Sequence, residues 1–417
     1  MREPHELLVR LRELERADGR AVLATIARVE GSSYRREGAR LLIEPDGRLT
    51  GVLSGGCLER DIVALADATL AGGAPRGHVY DLTADEEAIW GTGTGCAGKV
   101  TLLLEPLDPP RRQVEIALLE TVLAARREAR VATLFHLEGS GSKGGPQVGD
   151  RIVLAMDGVG LSTSPRGRGS EPVAASALPM PKTPGGPADA PSTPAFIYGA
   201  FFRAPGTEET LRRLAELPSG SARAFDFAPP AGAAEGVASV LLESLLPPVH
   251  LLLVGAERDV PALARLAGEL GWAVTVVDPR PSAAAQERFG PEVTYVGAAP
   301  RALGAAGIEL SARTAVLLAT HRYLDDVAYL AELGAAPVGY LGLLGPARRR
   351  ERILADLARL DPELAATARA RLSGPAGLDL GGRSPEEVAL SVVAEIQARF
   401  LGRAAGRLAD KPAEGGA

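Results

Sequence analysis

The second half of the chain alternates short apolar runs with helical segments, and this alternation restricts the possible folds more than any other feature. The run HLLLVGA begins at His250, a helical segment follows, and WAVTVVD ends at Asp278. TAVLLAT, the helical segment DDVAYLAELG and PVGYLGLLG repeat the pattern. Continuous apolar runs are typical of strands buried on both faces of a parallel sheet, and the helices between them are the crossover connections. The pattern predicts a Rossmann-like doubly wound parallel-sheet domain over residues 247–417.

The first strand–helix turn of this domain reads GAERDV, from Gly255 to Val260. The dinucleotide fingerprint has glycine where Glu257 and Val260 stand. A glutamate at the first of these positions adds bulk and negative charge where the pyrophosphate would lie. Asp278 does follow at about the 20-residue distance expected for a ribose-binding acid. We therefore expect the fold without tight NAD(P) binding, and an NAD(P)-dependent oxidoreductase is kept as the alternative function.

The first half of the chain is rich in short strands and contains an internal echo. ATIARVEG begins at Ala24 and ATLFHLEG begins at Ala132. Downstream, GARLLIEPDG from Gly38 corresponds to GDRIVLAMDG from Gly149, with the arginine and the terminal Asp-Gly in register. The matched spacing predicts a duplicated unit within a β-rich α+β N-terminal domain.

The two cysteines of the chain both follow glycines. Cys57 lies in SGGCLERD, directly before a predicted helix, and Cys96 lies in GTGTGCAG. A helix N-terminus favours a thiolate, and its free N–H groups can hold an anion. A buried cysteine that acts as a small apolar residue is the alternative for each position.

Composition excludes several classes of partner. The formal charge is −6 and no long basic run is present, so we expect no nucleic-acid binding. The most apolar stretch, LLESLLPPVHLLLVGA, is interrupted by Glu243, Pro247 and Pro248, so we expect no membrane span. Two cysteines form no disulfide framework, and a reducing cytoplasmic location is the expectation.

A proline-rich stretch separates the two halves. Eight prolines fall between Thr163 and Pro194, mixed with glycine, serine and alanine. Such a segment has too little apolar content to offset the entropy of ordering it. We therefore divide the chain into an N-terminal domain at 1–162, a linker or insert at 163–195, a connecting segment at 196–246 and the Rossmann-like domain at 247–417.

An ordered set of motifs across both halves resembles the XdhC/CoxI family. The motifs are EGSSYRREGARLLI, DGRLTGVLSGGCLE, GCAGKVTLLLEPL, GWAVTVVDPR, THRYLDD, YLGLLGPARRR and PAGLDLGGRSPEEVALSVVAEI. The resemblance runs from about Val22 to Glu395 and omits mainly the proline-rich stretch. It implies an accessory protein of xanthine dehydrogenase and related molybdenum hydroxylases.

This resemblance also implies a mode of action. Such proteins bind the molybdenum cofactor (molybdopterin), favour its sulfurated form and transfer it to an apo-hydroxylase such as xanthine dehydrogenase. They work beside a cysteine desulfurase and are not hydroxylases themselves. The resemblance also implies that this chain forms a homodimer. The cofactor-binding candidates carried over are Ser33, Arg35, Arg36, Ser54, Gly55, Gly56, Cys57, Gly95, Cys96, Asp278, His321 and Asp326. Cys57 and Cys96 are the candidate metal ligands because thiolates are soft donors.

Two positions depart from the family pattern. Glu257 stands where many relatives have glycine, and Arg322 stands where relatives often have Asn or Asp. Besides the oxidoreductase, two alternatives remain open at this point. One is a zinc or thiol enzyme that uses Cys57, Cys96 and His321, and the other is a scaffold protein that tolerates loss of both cysteines.

Overall fold

The computed structural model describes residues 2–56, 58–82, 98–124, 126–138, 147–155, 194–198, 207–227 and 237–410. Residues Glu3–Pro247 form one unit, and the chain from Pro248 onward forms the body of a second. Within the described ranges, no helix combines the length and the hydropathy needed to cross a lipid bilayer.

The first unit begins with an amphipathic helix and a five-stranded antiparallel sheet. Helix α1 (Arg2–Arg16) buries Leu7, Leu11 and Leu14, which its helical period places on one face. The other elements are β1 (Val22–Gly31), β2 (Arg40–Ile43), β3 (Leu49–Gly51), α2 (Glu59–Gly72), β4 (Arg76–Asp81) and β5 (Gly98–Pro106). The strand order is β3-β2-β1-β5-β4, and α2 packs against β1 and β5.

A second five-stranded sheet repeats this topology element by element. Helix α3 (Pro109–Leu123) leads into it, and its elements are β6 (Ala129–Leu137), β7 (Arg151–Ala155), β8 (Pro194–Tyr198), α4 (Thr207–Glu216), β9 (Ala222–Phe227) and β10 (Ala238–Leu245). The strand order is β8-β7-β6-β10-β9. Thr25 faces Arg40 in the first sheet as Thr133 faces Arg151 in the second. The predicted duplication therefore extends to whole sheets.

The second sheet corrects the domain division made from sequence. The segment 196–246, which we expected to be a connection, instead supplies α4, β9 and β10. Its buried residues Leu211, Leu214 and Val240 share one apolar core with Leu134 of β6 and Ile152 of β7. These elements at the end of the second repeat are short and do not share the sequence similarity seen between β1 and β6. The sequence therefore did not identify them as part of the duplication. The predicted linker at 163–195 lies outside the described residues until β8 begins at Pro194.

Buried charges join the two repeats reciprocally. Arg40 of the first repeat donates two hydrogen bonds to Glu243 of the second, at 2.9 and 3.0 Å. Arg151 of the second repeat pairs with Glu105 of the first. Glu115 on α3 lies between both arginines, with its Oε2 2.5 Å from Arg151 Nη1 and its Oε1 3.2 Å from Arg40 Nε. The same pair, Arg from one repeat and Glu from the other, thus occurs twice.

Glycine makes room for each of these pairs. Gly38 and Gly149 each precede a paired arginine by two residues and have φ of 86° and 92°. A Cβ on Gly38 would lie 2.8 Å from Glu243 Oε1, and one on Gly149 would lie 3.0 Å from Glu105 Oε1. The Gly-x-Arg sequence therefore provides both the turn and the space that the opposite glutamate occupies.

The second unit is a six-stranded parallel sheet with helices on both faces, so the predicted fold class is confirmed. Its strands are β11 (His250–Val254), β12 (Ala273–Asp278), β13 (Thr294–Gly297), β14 (Thr314–Leu318), β15 (Tyr340–Leu343) and β16 (Leu372–Ser373). Its helices are α5 (Val260–Glu269), α6 (Ala283–Gln286), α7 (Tyr323–Leu333), α8 (Ala347–Leu360), α9 (Pro362–Arg371) and α10 (Pro385–Phe400). The strand order β13-β12-β11-β14-β15-β16 is that of the Rossmann fold.

The strand order changes direction between β11 and β14, which makes this position the switch point of the sheet. In open α/β sheets, ligands bind beyond the carboxyl ends of the strands at such a switch point. The central strands are buried along their whole length, and separate apolar cores fill the two faces. The loops after β11, β12 and β14 are thus held on a rigid base.

Candidate functional site

Two loops of the first repeat contain the described N-terminal candidates. Ser33, Arg35 and Arg36 follow β1, and Ser54, Gly55 and Gly56 follow β3. Buried Ser54 donates its hydroxyl to Glu59 Oε2 at 2.6 Å and accepts the amides of Gly56 and Leu58 at 3.3 and 3.2 Å. Ser54 therefore shapes the turn that leads into α2. Glu59 lies in the first turn of that helix, where the helix dipole favours negative charge.

The loop after β1 presents an exposed aromatic ring and an exposed cation. Tyr34 is 63% exposed, and its ring is the nearest neighbour of Gly55, 4.0 Å from where a Cβ of that glycine would lie. Arg35 makes a two-pronged pair with Glu3 of α1, at 2.7 and 2.8 Å, and Arg35 lowers the pKa of the Glu3 carboxyl. Arg36 is exposed, and no acceptor for its guanidinium lies among the described residues. Arg36 and Tyr34, rather than Arg35, are the groups available to a ligand here.

The chain re-enters the described region beside the same loop. A Cβ on Gly98 would lie 2.5 Å from the carbonyl oxygen of Ser32, so only glycine fits at this start of β5. The described neighbours of both cysteine motifs thus lie against the loop after β1. Cys57, Gly95 and Cys96 themselves lie outside the described residues, and their shared contact with a ligand stays a prediction.

At the carboxyl edge of the parallel sheet, the turn after β11 approaches the loop after β14. Gly255 has φ of 118°, and a Cβ there would overlap the carbonyl oxygen of Ala319 and lie 2.8 Å from Thr320 Cα. Gly255 therefore allows the two loops to touch at the switch point. The amides of residues 256–259 have no hydrogen-bond acceptor within the described parts of the chain. Glu257 is exposed beside these donors.

Asp278, the candidate at the end of β12, is turned into the protein. It is 8% exposed. Its Oδ1 accepts the Arg280 amide at 2.8 Å, and its Oδ2 accepts the Tyr295 hydroxyl at 2.6 Å. Burial and this hydrogen bond raise the pKa of Tyr295 to about 12. Asp278 therefore fixes the strand end through two protein donors.

His321 lies across the switch point from the start of α5. Its backbone is left-handed, with φ of 54°, a conformation that is uncommon outside glycine. Its imidazole Nε2 is 2.9 Å from Asp259 Oδ2. The side chain of His321 is 54% exposed, so the ring is accessible from solvent. The imidazole is thus oriented by a carboxylate yet open to a ligand.

Asp326, the third candidate of this unit, is 1% exposed. Its Oδ1 accepts the hydroxyl of Thr320 at 2.5 Å, and its Oδ2 accepts Arg349 Nη2 at 2.6 Å and Nε at 3.2 Å. Both carboxylate oxygens are therefore engaged by the protein. Among the described residues, no group of three or more His, Cys, Asp or Glu side chains has the arrangement of a metal site.

The family follows from two separate matches along the chain. Residues 251–396 match the XdhC Rossmann domain, and residues 14–81 match the XdhC and CoxI family. The chain belongs to the XdhC and CoxI family. This confirms the resemblance carried by the sequence motifs, and the two matches fall in the two structural units.

Relatives of this XdhC-family chain include a protein of Bacillus subtilis (strain 168) that is named as a probable component of xanthine dehydrogenase. It is 27% identical over 382 residues, which cover 90% of this chain and 92% of the relative. An uncharacterized protein of Escherichia coli (strain K12) is 31% identical over 147 residues, 26% of its own length. A crystal structure described as a xanthine dehydrogenase from Bacillus halodurans superposes with a TM-score of 0.66 at 25% identity, covering 97% of this chain and 98% of that chain.

The XdhC-family fold brings together residues that sequence reasoning missed. Asp259 was treated only as part of an incomplete dinucleotide fingerprint, and Tyr34 was not considered. Asp259 stands directly before a Val-Pro helix start, where an N-cap is expected, but its carboxylate makes no cap hydrogen bond. The sequence around Asp259 thus suggested a helix cap. Only its contact with His321, which is distant in the chain, shows that Asp259 orients the imidazole.

Proposed function

We propose that this XdhC-family protein is an accessory factor that binds the molybdenum cofactor and delivers it to xanthine dehydrogenase or a related molybdenum hydroxylase. The observation that carries the proposal is the similarity along 90% of the chain to a relative named for xanthine dehydrogenase. Such similarity covers both units and thus the loops of both candidate regions. A protein that transfers a cofactor must bind it reversibly, so accessible contact groups on fixed loops are expected.

The described N-terminal loops have donors that suit the anionic and planar parts of a pterin cofactor. The exposed Tyr34 ring provides a face for stacking. Arg36 is exposed and its guanidinium has no acceptor among the described residues, and a guanidinium binds phosphate through paired N–H donors. Gly56 has φ of 108° and no described heavy atom within 4 Å of its Cβ position, so its peptide is open to a close approach. When bound, the cofactor supplies the oxo-molybdenum centre that the recipient hydroxylase uses.

The thiols complete the proposed N-terminal site. Cys57 precedes α2, and a thiolate there is a soft donor for molybdenum or for persulfide sulfur. Sulfur supply by a cysteine desulfurase and a homodimeric state belong to the same proposal. In the Rossmann unit, His321 is the accessible candidate for contact with the cofactor.

Reconstitution of apo-xanthine dehydrogenase tests the proposal. We expect purified protein loaded with cofactor to activate the apo-hydroxylase in the presence of excess free-cofactor scavenger. Cys57→Ser should bind or transfer less cofactor while its melting temperature stays unchanged, because serine is nearly isosteric but does not form a soft anion near neutral pH. Cys96→Ser in parallel separates the contributions of the two thiols. If Cys57→Ser and Cys96→Ser each transferred cofactor as well as the wild-type protein does, the result would favour a scaffold protein.

The oxidoreductase alternative has its own test. Glu257 occupies the second glycine position of the fingerprint, beside the amides of residues 256–259, for which the described part of the chain offers no acceptor. If the carboxylate blocks a dinucleotide, Glu257→Gly should bind NAD(P) measurably better than wild type, and Glu257→Gln should fall between them. Tight NAD(P) binding and hydride transfer by the wild-type protein would contradict the accessory role.

A further inference from the structure

The loop Ala319–Arg322 holds His321 in a conformation that needs support. A left-handed backbone at a non-glycine residue is strained and persists only where the surroundings determine it. The imidazole is in addition fixed by Asp259, which occupies the N-cap position of α5 without capping the helix. The Asp259 carboxylate thus orients this ring instead of capping the helix.

The support is a chain of contacts that runs from Thr320 through Asp326 to Arg349. Thr320, which precedes His321, is 1% exposed. Its hydroxyl donates to Asp326 Oδ1 at 2.5 Å and accepts the amide of Arg322 at 3.1 Å. The hydroxyl therefore ties both neighbours of His321 to the first turn of α7.

Arg349 closes the chain from the other side. Its guanidinium donates twice to Asp326 Oδ2, and it starts from the first turn of α8. Gly345, with φ of 131°, leaves the room for this side chain, because a Cβ there would lie 2.9 Å from Arg349 Cδ. Two helices and two loops thus converge on a single carboxylate.

We propose that Asp326 and Arg349 are positioning residues that act through Thr320 to hold His321 in its ligand-accessible orientation. Asp326 is then not a cofactor contact, because both of its oxygens are engaged and the residue is closed to solvent. The inference rests on the proposed function only for the identity of the ligand. The geometry of His321 itself depends on this chain of contacts whether or not a cofactor binds.

Imidazole NMR of the full-length protein labelled at histidine carbon tests this directly. The chain has 5 histidines, and His321→Gln assigns the signal of interest. Thr320→Val removes the hydroxyl without changing charge or volume, and Asp326→Asn removes the carboxylate. Asp325→Asn is the matched control, since this neighbouring carboxylate pairs with the guanidinium groups of Arg280 and Arg322 and not with Thr320 or Arg349.

We expect Thr320→Val and Asp326→Asn to move or split the His321 signal, and Asp325→Asn to leave it nearly unchanged. Affinity for molybdenum cofactor, measured on the same samples, should fall about fivefold or more, the equivalent of one lost hydrogen bond. Arg349→Lys, which keeps the charge but loses the paired donors, should be intermediate. An unchanged His321 signal in both Thr320→Val and Asp326→Asn overturns the inference. A changed signal with unchanged cofactor affinity supports the positioning role and contradicts the placement of the cofactor at His321.

Discussion

Single residues at the edge of the parallel sheet are fixed by backbone geometry more than by side-chain chemistry. Gly255 combines a positive φ with a close approach to Ala319 and Thr320. His321 accepts a positive φ despite its side chain, because contacts on both sides hold it. Asp278 was predicted as a ligand contact from its spacing, but its carboxylate is engaged by an amide and a tyrosine. Sequence spacing finds the position of such a residue and not the direction of its side chain.

Gly255→Ala should destabilise the Rossmann unit. The new Cβ meets the carbonyl of Ala319, and alanine resists this φ, so we expect a loss of about 1–3 kcal/mol or more in the free energy of unfolding. Urea unfolding, followed by a probe in this unit, measures it. Gly268→Ala is the control, because that glycine is in α5 with open space at its Cβ position and alanine favours a helix. Equal stability of Gly255→Ala and Gly268→Ala would refute the role assigned to the turn.

The Tyr295 hydroxyl should remain protonated well into alkaline pH. Burial and its bond to Asp278 raise the pKa of Tyr295 to about 12, from an ordinary value of 10.0. Because the pKa is raised on folding, this contact stabilises the protein fully below about pH 10 and is lost as the pH rises toward 12. Tyrosinate absorbance of wild type and Tyr295→Phe should coincide at about pH 10.5 in the folded protein. An excess of one ionised tyrosine in wild type at that pH would show that the hydroxyl is not held by Asp278.

Whole elements repeat in the first unit, and the repetition was only partly legible in the sequence. The echo of β1 and β2 in β6 and β7 was visible because these strands keep similar apolar residues and the same Gly-x-Arg turn. Strands β9 and β10 were not recognised as copies of β4 and β5, because edge and bulged strands tolerate different residues as long as the register is kept. The reciprocal pairs Arg40–Glu243 and Arg151–Glu105 were equally hidden, since each joins residues far apart in the chain.

Neutralising Glu105 and neutralising Glu115 should lower the free energy of unfolding by different amounts. Burial outweighs the attraction of Arg151 and raises the pKa of Glu105. Burial opposes ionisation of Glu115 as well, but Arg40 and Arg151 outweigh it and lower its pKa. Glu115→Gln should therefore cost roughly 3–5 kcal/mol of unfolding free energy, because two buried guanidinium groups lose their shared partner. Glu105→Gln should cost clearly less, because its amide oxygen can still accept from Arg151 and that arginine keeps Glu115 as a partner. Denaturant unfolding of the two variants compares them, and equal costs would contradict this view of the cluster.

The connection between β7 and β8 should be replaceable by that of the first repeat. Leu154 pairs with Pro194 across these strands, as Ile43 pairs with Leu49 across β2 and β3. A variant in which the EPDGR turn replaces residues 155–193 should fold, with stability unchanged or raised by up to about 2 kcal/mol, because a shorter loop costs less entropy to close. Thermal unfolding checks this. A large drop in melting temperature would mean that the replaced segment stabilises the second sheet.

The chain contains a duplicated β-rich unit and a Rossmann unit, and each has accessible candidate residues of its own. Fold class and family were predictable because buried strands, glycine turns and ordered motifs leave strong local signals. The contacts that orient the site, such as Asp259 with His321 or Arg349 with Asp326, depend on tertiary folding and leave almost none. The accessory role itself rests on relatives, and the described loops support it through their free donors.

Direct measurement of bound cofactor tests the proposed function most sharply. The protein should be purified from a host that makes the molybdenum cofactor and from an isogenic host that does not, and then analysed for molybdenum and for released pterin. We expect molybdenum and pterin in equal amounts, approaching one of each per chain, from the first host and neither from the second. We also expect Cys57→Ser to retain clearly less of both. Protein that carries neither molybdenum nor pterin from the cofactor-producing host, and that binds none when cofactor is added, would contradict the proposal.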